Sequence, residues 1–475
     1  MSNVPRLSRL QKVFYALGTA SGQLFNTTVV TWAMYYYVPP AGQGRQPLVS
    51  IGLFTAAMTF GRIIDAIIDP GIGWISDRTR SRLGRRIPYI LAFGLPTAVT
   101  FFFLWSPPNA GPTVLNAVYF AIMINLYFIT ASLLYIPQGA LLPEIAVTSE
   151  ERVSLATHNA LFTMLAAAVV AVAPGLIIQR LGFRGLGLVM GAIGLVLAYL
   201  PTLVIRERSK WREQMGQGGG GAPAGSSSPG APARGGIAHG AAAQEAAALE
   251  TATAVQAAVA PPLRLVEAVR HTLRNSSFMA FAGSMFCFYL GFNSLMAGIP
   301  YIVTVIIGGK EGDVPLYLGT HVLAAIAFFP VVGWLARRIG KRRLYTGAYL
   351  ALAVLLPLLF FLGKLPFGTA SSQALVWLVA GGAVLSVHYV LPGAVTAECV
   401  DYDETVTGQR REAMYFGVQS IIQTLAVALS TTFVGALFRA FGFSADRPLG
   451  IALLGPMAGF FLFGGFLSFR RYRLG

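Results

Sequence analysis

"GRIIDAIIDPGIGWISDRTRSRLGRR", residues Gly61–Arg86, joins two stretches of opposite character. Up to Ile75 it is apolar enough to lie in a bilayer, yet it carries Arg62, Asp65 and Asp69. After Ser76 it turns into a short run dominated by arginine. Asp65 and Asp69 are four residues apart and share one helix face, with Arg62 on the same side. Counted back from Asp77, Asp69 and Asp65 lie roughly 12 and 18 Å deep at ~1.5 Å per residue. An isolated charge there costs at least about 2.5–3.5 kcal/mol on insertion scales. Two facing carboxylates also repel each other, which favours holding a proton or a cation between them. The competing reading is an internal ion pair of Arg62 with Asp65, leaving Asp69 satisfied by hydroxyls.

The rest of the chain supports a membrane setting. Of 475 residues, 55% are hydrophobic and only 11% charged, where a soluble domain is about a quarter charged. Between Ile87 and Pro143 no side chain is charged, and the one obvious break is "SPPNAGP" at Ser106–Pro112. Twelve spans are predicted, at 12–38, 48–76, 87–105, 113–141, 155–178, 185–205, 276–306, 315–336, 343–362, 372–396, 411–438 and 448–469. As helices they reach across a hydrocarbon core of ~30 Å. The expected fold class is therefore an all-α polytopic membrane protein, with the lipid bilayer as a partner.

Lys and Arg outnumber Asp and Glu by 35 to 19. Their placement argues against nucleic acid. The N-terminus, the alternate loops that follow it and the C-terminus hold 27 basic residues. The opposite loops hold seven: Arg45, Arg180, Arg184, Lys310, Lys364, Arg439 and Arg447. This bias predicts that both termini are cytoplasmic. Cys287 and Cys399 are too few for a disulfide scaffold and lack metal-site spacing. The N-terminal "MSNVPRLSRLQK" lacks a cleavable signal pattern, so the first span is expected to serve for insertion.

Residues 213–261, rich in Gly, Ala, Ser and Pro, read as a flexible cytoplasmic linker with no core to bury. It separates an N-terminal six-span half, 1–212, from a C-terminal half, 262–475, which opens with a short amphipathic surface helix. The halves look related. "GWISDRTRSRLGRR" (Gly73–Arg86) follows the second span, and "GWLARRIGKRR" (Gly333–Arg343) follows the eighth. Both give Gly-Trp, a basic stretch, then Gly followed by Arg or Lys, as expected of a duplicated transporter unit.

This loop and its echo resemble the major facilitator superfamily. "RIIDAIIDPGIGWISDRTRSRLGRRIPYIL", "PQGALLPEIAVTSEERVSLATHN" (Pro137–Asn159) and "AECVDYDETVTGQRREAMYFGVQS" (Ala397–Ser420) are similar to the glycoside–pentoside–hexuronide:cation symporters, the melibiose permease-like group. The resemblance implies the major facilitator fold in two pseudo-symmetric halves. It also implies that Asp65 and Asp69 bind the coupling cation, with Ser132 on the fourth span as a third ligand. Ile68 stands where sugar-transporting members commonly have Asn, and Gln23 and Tyr135 stand where an acid is common. Sodium and a proton both remain open as the coupling ion, and no other cofactor is expected.

For gating, the resemblance implies that charges at the cytoplasmic side pair across the halves. The candidates are Asp77, Arg78 and Arg82, then Glu144 and Arg152, then Asp401, Arg410, Arg411 and Glu412, with Arg62 counted among them. A plain solvated basic loop is the alternative. For the solute, the mid-span polar and aromatic residues Gln23, Asn26, Tyr135, Gln138, Tyr389, Gln419 and Gln423 are the candidates, with helix–helix hydrogen bonding as the alternative role.

The expected activity is secondary active transport by alternating access. A small organic solute, by resemblance a sugar or glycoside, moves inward with a cation. The alternatives are a non-sugar or lysolipid-like amphiphile and an uncoupled uniporter. An intramembrane prenyltransferase-like enzyme is the remote reading, from "DAIIDPGIGWISD" and "DYDE". Its magnesium–diphosphate site needs carboxylates near one surface, and Asp65 and Asp69 lie too deep. No enzymatic activity is expected. The resemblance further implies a monomer in the plasma (inner) membrane.

Overall fold

A computed structural model describes residues 7–42, 44–79, 81–146, 149–205, 272–408 and 412–474. The linker 213–261, the expected surface helix before Thr272, Arg410 and Arg411 lie outside the described residues. So do the side chains of Arg152 and Glu412. Among the described residues every regular element is helical.

The N-terminal half comprises α1 (Arg9–Tyr37), α2 (Ile51–Arg78), α3 (Ile87–Leu104), α4 (Val114–Ile145) and α5 (Ser149–Val204). The C-terminal half comprises α6 (Ser276–Tyr301), α7 (Val314–Ile339), α8 (Lys341–Leu355), α9 (Ala370–Thr407), α10 (Glu412–Phe441), α11 (Leu449–Ala452) and α12 (Leu454–Phe469). Ten helical stretches are long and apolar enough to cross a membrane. One of them, Thr157–Val204 within α5, is long enough for two crossings at 48 residues. With that stretch counted twice and α1 added, twelve crossings result.

Two elements differ from expectation, α5 and α9; α9 continues to Thr407, where the tenth span was expected to end at 396. The fifth and sixth spans have no loop between them: α5 is broken only at Gly182, with φ 67° and ψ −174°, a backbone conformation open to glycine. Its arms run antiparallel, since the α1 start bonds both, Lys12 to Ser154 at 2.9 Å and Gln11 to the Val204 carbonyl at 3.1 Å. α1 is less apolar than the other spans because it is turned inward, with Ser21, Thr28, Thr31 and Trp32 all buried. Apolar side chains elsewhere face out, as a bilayer demands: Leu188 and Val196 on α5, Val354 on α8 and Phe460 on α12 are more than half exposed.

The duplicated sequence folds as a duplicated turn. Gly84 (φ 105°) precedes α3 and Gly340 (φ 85°) precedes α8, each reversing the chain where a side chain would be strained. Four residues after each Trp an arginine covers its ring. Arg78 lies 3.6 Å from the Trp74 centroid and Arg338 5.2 Å from that of Trp334.

The halves meet at the end of the bundle opposite both chain ends, here called the far end. Tyr301 at the end of α6 donates to the Val38 carbonyl at 2.7 Å. Thr59 of α2 and Thr432 of α10 share a hydroxyl hydrogen bond at 2.6 Å. Arg45, before α2, pairs with Glu311, before α7, and the Tyr35 hydroxyl donates to the same carboxylate at 3.4 Å. Five hydrogen bonds join the halves toward this end.

Candidate cation and solute site

Close approach of α2 to α4 builds the site. A Cβ at Gly61 would meet the Phe128 ring at 2.9 Å, so glycine there lets the two helices come together. One turn further along α2, Ser132 Oγ donates to Asp65 Oδ1 at 2.6 Å. Arg62 reaches back along α2, its Nη1 3.5 Å from Asp65 Oδ2. Its Nη2 donates to Asn26 Oδ1 of α1 at 2.5 Å, and its guanidinium sits 4.1 Å from the Phe128 centroid. Asp65 is 7% exposed and Arg62 9%, so water screens neither.

Asp69 completes the cluster one turn nearer the chain ends. Its Oδ1 is buried with no hydrogen-bond partner among the described residues. One guanidinium thus faces two carboxylates, and it engages only the first. The Arg62–Asp65 pair exists, and Asp69 has no ion pair among the described residues. Oxygens of Asp65, Asp69 and Ser132 offer hard ligands of the kind a small cation or a shared proton requires. Arg62, counted with the gates, stands in this cluster at mid-bundle instead.

The solute candidates divide. Asn26 is tied to Arg62, and Tyr135 shares a hydrogen bond with Ser21 at 3.0 Å, joining α4 to α1. Gln138 is buried, its amide nitrogen and oxygen both without a partner among the described residues. Gln23 bonds within α1 to Thr27 at 2.8 Å. Across the bundle Gln419 donates to Thr396 at 2.7 Å, the helix-bridging role weighed as its alternative. Tyr389 and Gln423 are exposed on α9 and α10. Among the described residues no hydrogen bond connects these three to Asp65 or Asp69.

Of the gating candidates, Asp77 and Glu144 join a network within the N-terminal half. Arg86, only 6% exposed, pairs with Asp77, donates to Ser76 Oγ at 2.6 Å and reaches Glu144 Oε1 at 3.2 Å. Arg85 adds a 3.1 Å contact to the same Glu144 oxygen. The loop after α2 is thereby clamped to the end of α4. Arg78 covers Trp74, and Arg82 is exposed. Asp401, at the corresponding end of α9, is also exposed.

The second half repeats the clamp through Glu398, a residue outside the gating candidates. Glu398 takes Lys341, which follows Gly340, and accepts from the Tyr472 hydroxyl at 2.7 Å. A signal was available: Gly139-Ala140-x-x-x-Glu144 recurs as Gly393-Ala394-x-x-x-Glu398.

Comparison with known proteins agrees with this architecture. A family model described as MFS/sugar transport protein matches residues 14–223 and 238–455. An uncharacterized symporter of Synechocystis sp. is 24% identical over 96% of this chain and 92% of its own. The isoprimeverose transporter of Lactiplantibacillus pentosus is 22% identical over 92% of this chain and 81% of its own. Among solved structures, a bacterial homologue of the human lysosomal transporter Spinster, inward-facing and unoccupied, superposes with a TM-score of 0.64. It is 13% identical and the match covers 98% of each chain. The chain belongs to the MFS/sugar transport family of the major facilitator superfamily. It is an integral membrane transporter and not an enzyme.

Proposed function

We propose that this chain carries a sugar or glycoside into the cell together with a cation, by alternating access between its two halves. The observation that carries the reading is the mid-bundle cluster of Asp65, Asp69, Ser132 and Arg62, with more carboxylate than its one arginine engages. A cation or proton arriving there removes the cost of the uncompensated charge, so binding and the state of the site are linked. The relative named as an isoprimeverose transporter supports a glycoside as cargo. The bias of basic residues supports cytoplasmic termini in the plasma membrane. The far end, where Arg45 meets Glu311, then faces outside, and the structure holds that side closed.

Purified protein in proteoliposomes, offered labelled isoprimeverose, lactose and melibiose, tests this. A sodium gradient and a proton gradient are imposed separately. Accumulation above equilibrium with one of them names the ion and the solute. Equilibration insensitive to both gradients would reduce the protein to a uniporter.

A further inference from the structure

A pocket at the far end lies apart from the mid-bundle cluster. It is walled by Arg45 and Gln46 from the loop before α2, Asn109 and its neighbouring prolines before α4, and Arg184 just beyond the α5 break. Two of the seven basic residues on this side therefore line one concavity, and no acidic residue lines it. Arg184 is exposed and makes no ion pair among the described residues. Arg45 is only half available. It pairs with Glu311 of the other half while lying 5.4 Å from the Tyr35 centroid and 4.9 Å from that of Phe183.

We propose that this pocket binds an anionic oxyanion group, a phosphate or carboxylate, between the guanidinium groups of Arg45 and Arg184. Planar guanidinium forks match such groups in paired hydrogen bonds, and Gln46 supplies further polar lining. The site has a built-in competitor. Glu311 already occupies part of Arg45, and it does so across the junction of the halves. An anion that takes Arg45 weakens the far-end closure, and closure weakens anion binding by the same factor. Occupancy of the pocket thus biases the transporter toward opening on this side.

Calorimetric titration of the purified, detergent-solubilised full chain with inorganic phosphate tests the proposal. Arg184→Gln, a change at an exposed position, should weaken binding about tenfold, as for loss of one charge-assisted partner. Glu311→Gln should strengthen it severalfold, because Arg45 loses its competitor. That opposite sign is one a merely structural role for Glu311 does not produce. The same three proteins in nanodiscs of phosphatidylcholine with or without phosphatidylglycerol separate the two sources of the anion. Loss of phosphate binding only where phosphatidylglycerol is present would assign the site to a lipid headgroup. Unaltered loss-free binding in both lipids would assign it to a soluble anion. Affinities unchanged by Arg184→Gln, or not raised by Glu311→Gln, would overturn the proposal, as would no binding of phosphate in detergent. None of these readouts depends on the solute carried, so failure here leaves the symport reading standing.

Discussion

Asp65 and Asp69 were legible because charge inside an apolar run is expensive and demands a reason. What the chain could not display is who meets them. Asn26 is 36 positions from Arg62 and Ser132 is 67 from Asp65, and only the packing of α1, α2 and α4 makes them partners. Asn26 has the polarity of a solute ligand, yet it holds the arginine. Ser132→Ala removes a buried hydrogen bond to a charged group, worth about 1.5–3 kcal/mol. It should lower apparent cation affinity by about tenfold or more with little change in maximal rate, read from uptake against cation concentration. Arg62→Gln should do the reverse, leaving Asp65 and Asp69 with no local countercharge and strengthening cation binding at the expense of solute-driven turnover.

Most helix boundaries followed from the apolar spans, the charged end of α9 past residue 396 excepted, and the repeated turns followed from Gly-Trp and the second glycine. The missing loop in α5 did not, since a single glycine with positive φ does there what several polar residues usually do. The clamps at the ends of α4 and α9 were half read: Glu144 was a candidate and Glu398 was not. Burial separates them. Arg86 is 6% exposed and keeps Asp77 and Ser76 when Glu144→Gln removes one charged partner, a change expected to cost about 1.5–3 kcal/mol. Lys341 and Glu398 are partly exposed, and Glu398→Gln should cost no more than about 1 kcal/mol. Thermal unfolding of the two variants in the same detergent gives the comparison; equal losses would mean that the clamps do not differ as their burial says.

Two six-crossing halves closed at one end, with a charged site midway, is the arrangement alternating access requires. The far-end contacts could not be read from the chain because their members lie 263 to 373 residues apart. They make closure testable. Thr59 and Thr432 have hydroxyls 2.6 Å apart, so cysteines at both positions, in a background lacking Cys287 and Cys399, should cross-link under oxidation. Cross-linking should abolish transport, and reductant should restore it. Transport that continues through a completed cross-link would mean the far end need not open.

The most direct measurement is the steady-state accumulation ratio of the transported sugar in proteoliposomes under the driving gradient, for the wild type, Asp65→Asn and Asp69→Asn. Cation coupling at the α2 pair predicts a ratio well above one for the wild type and a ratio of about one for both variants. Concentrative uptake that survives in both variants would contradict it, and would place the coupling ion elsewhere in the molecule.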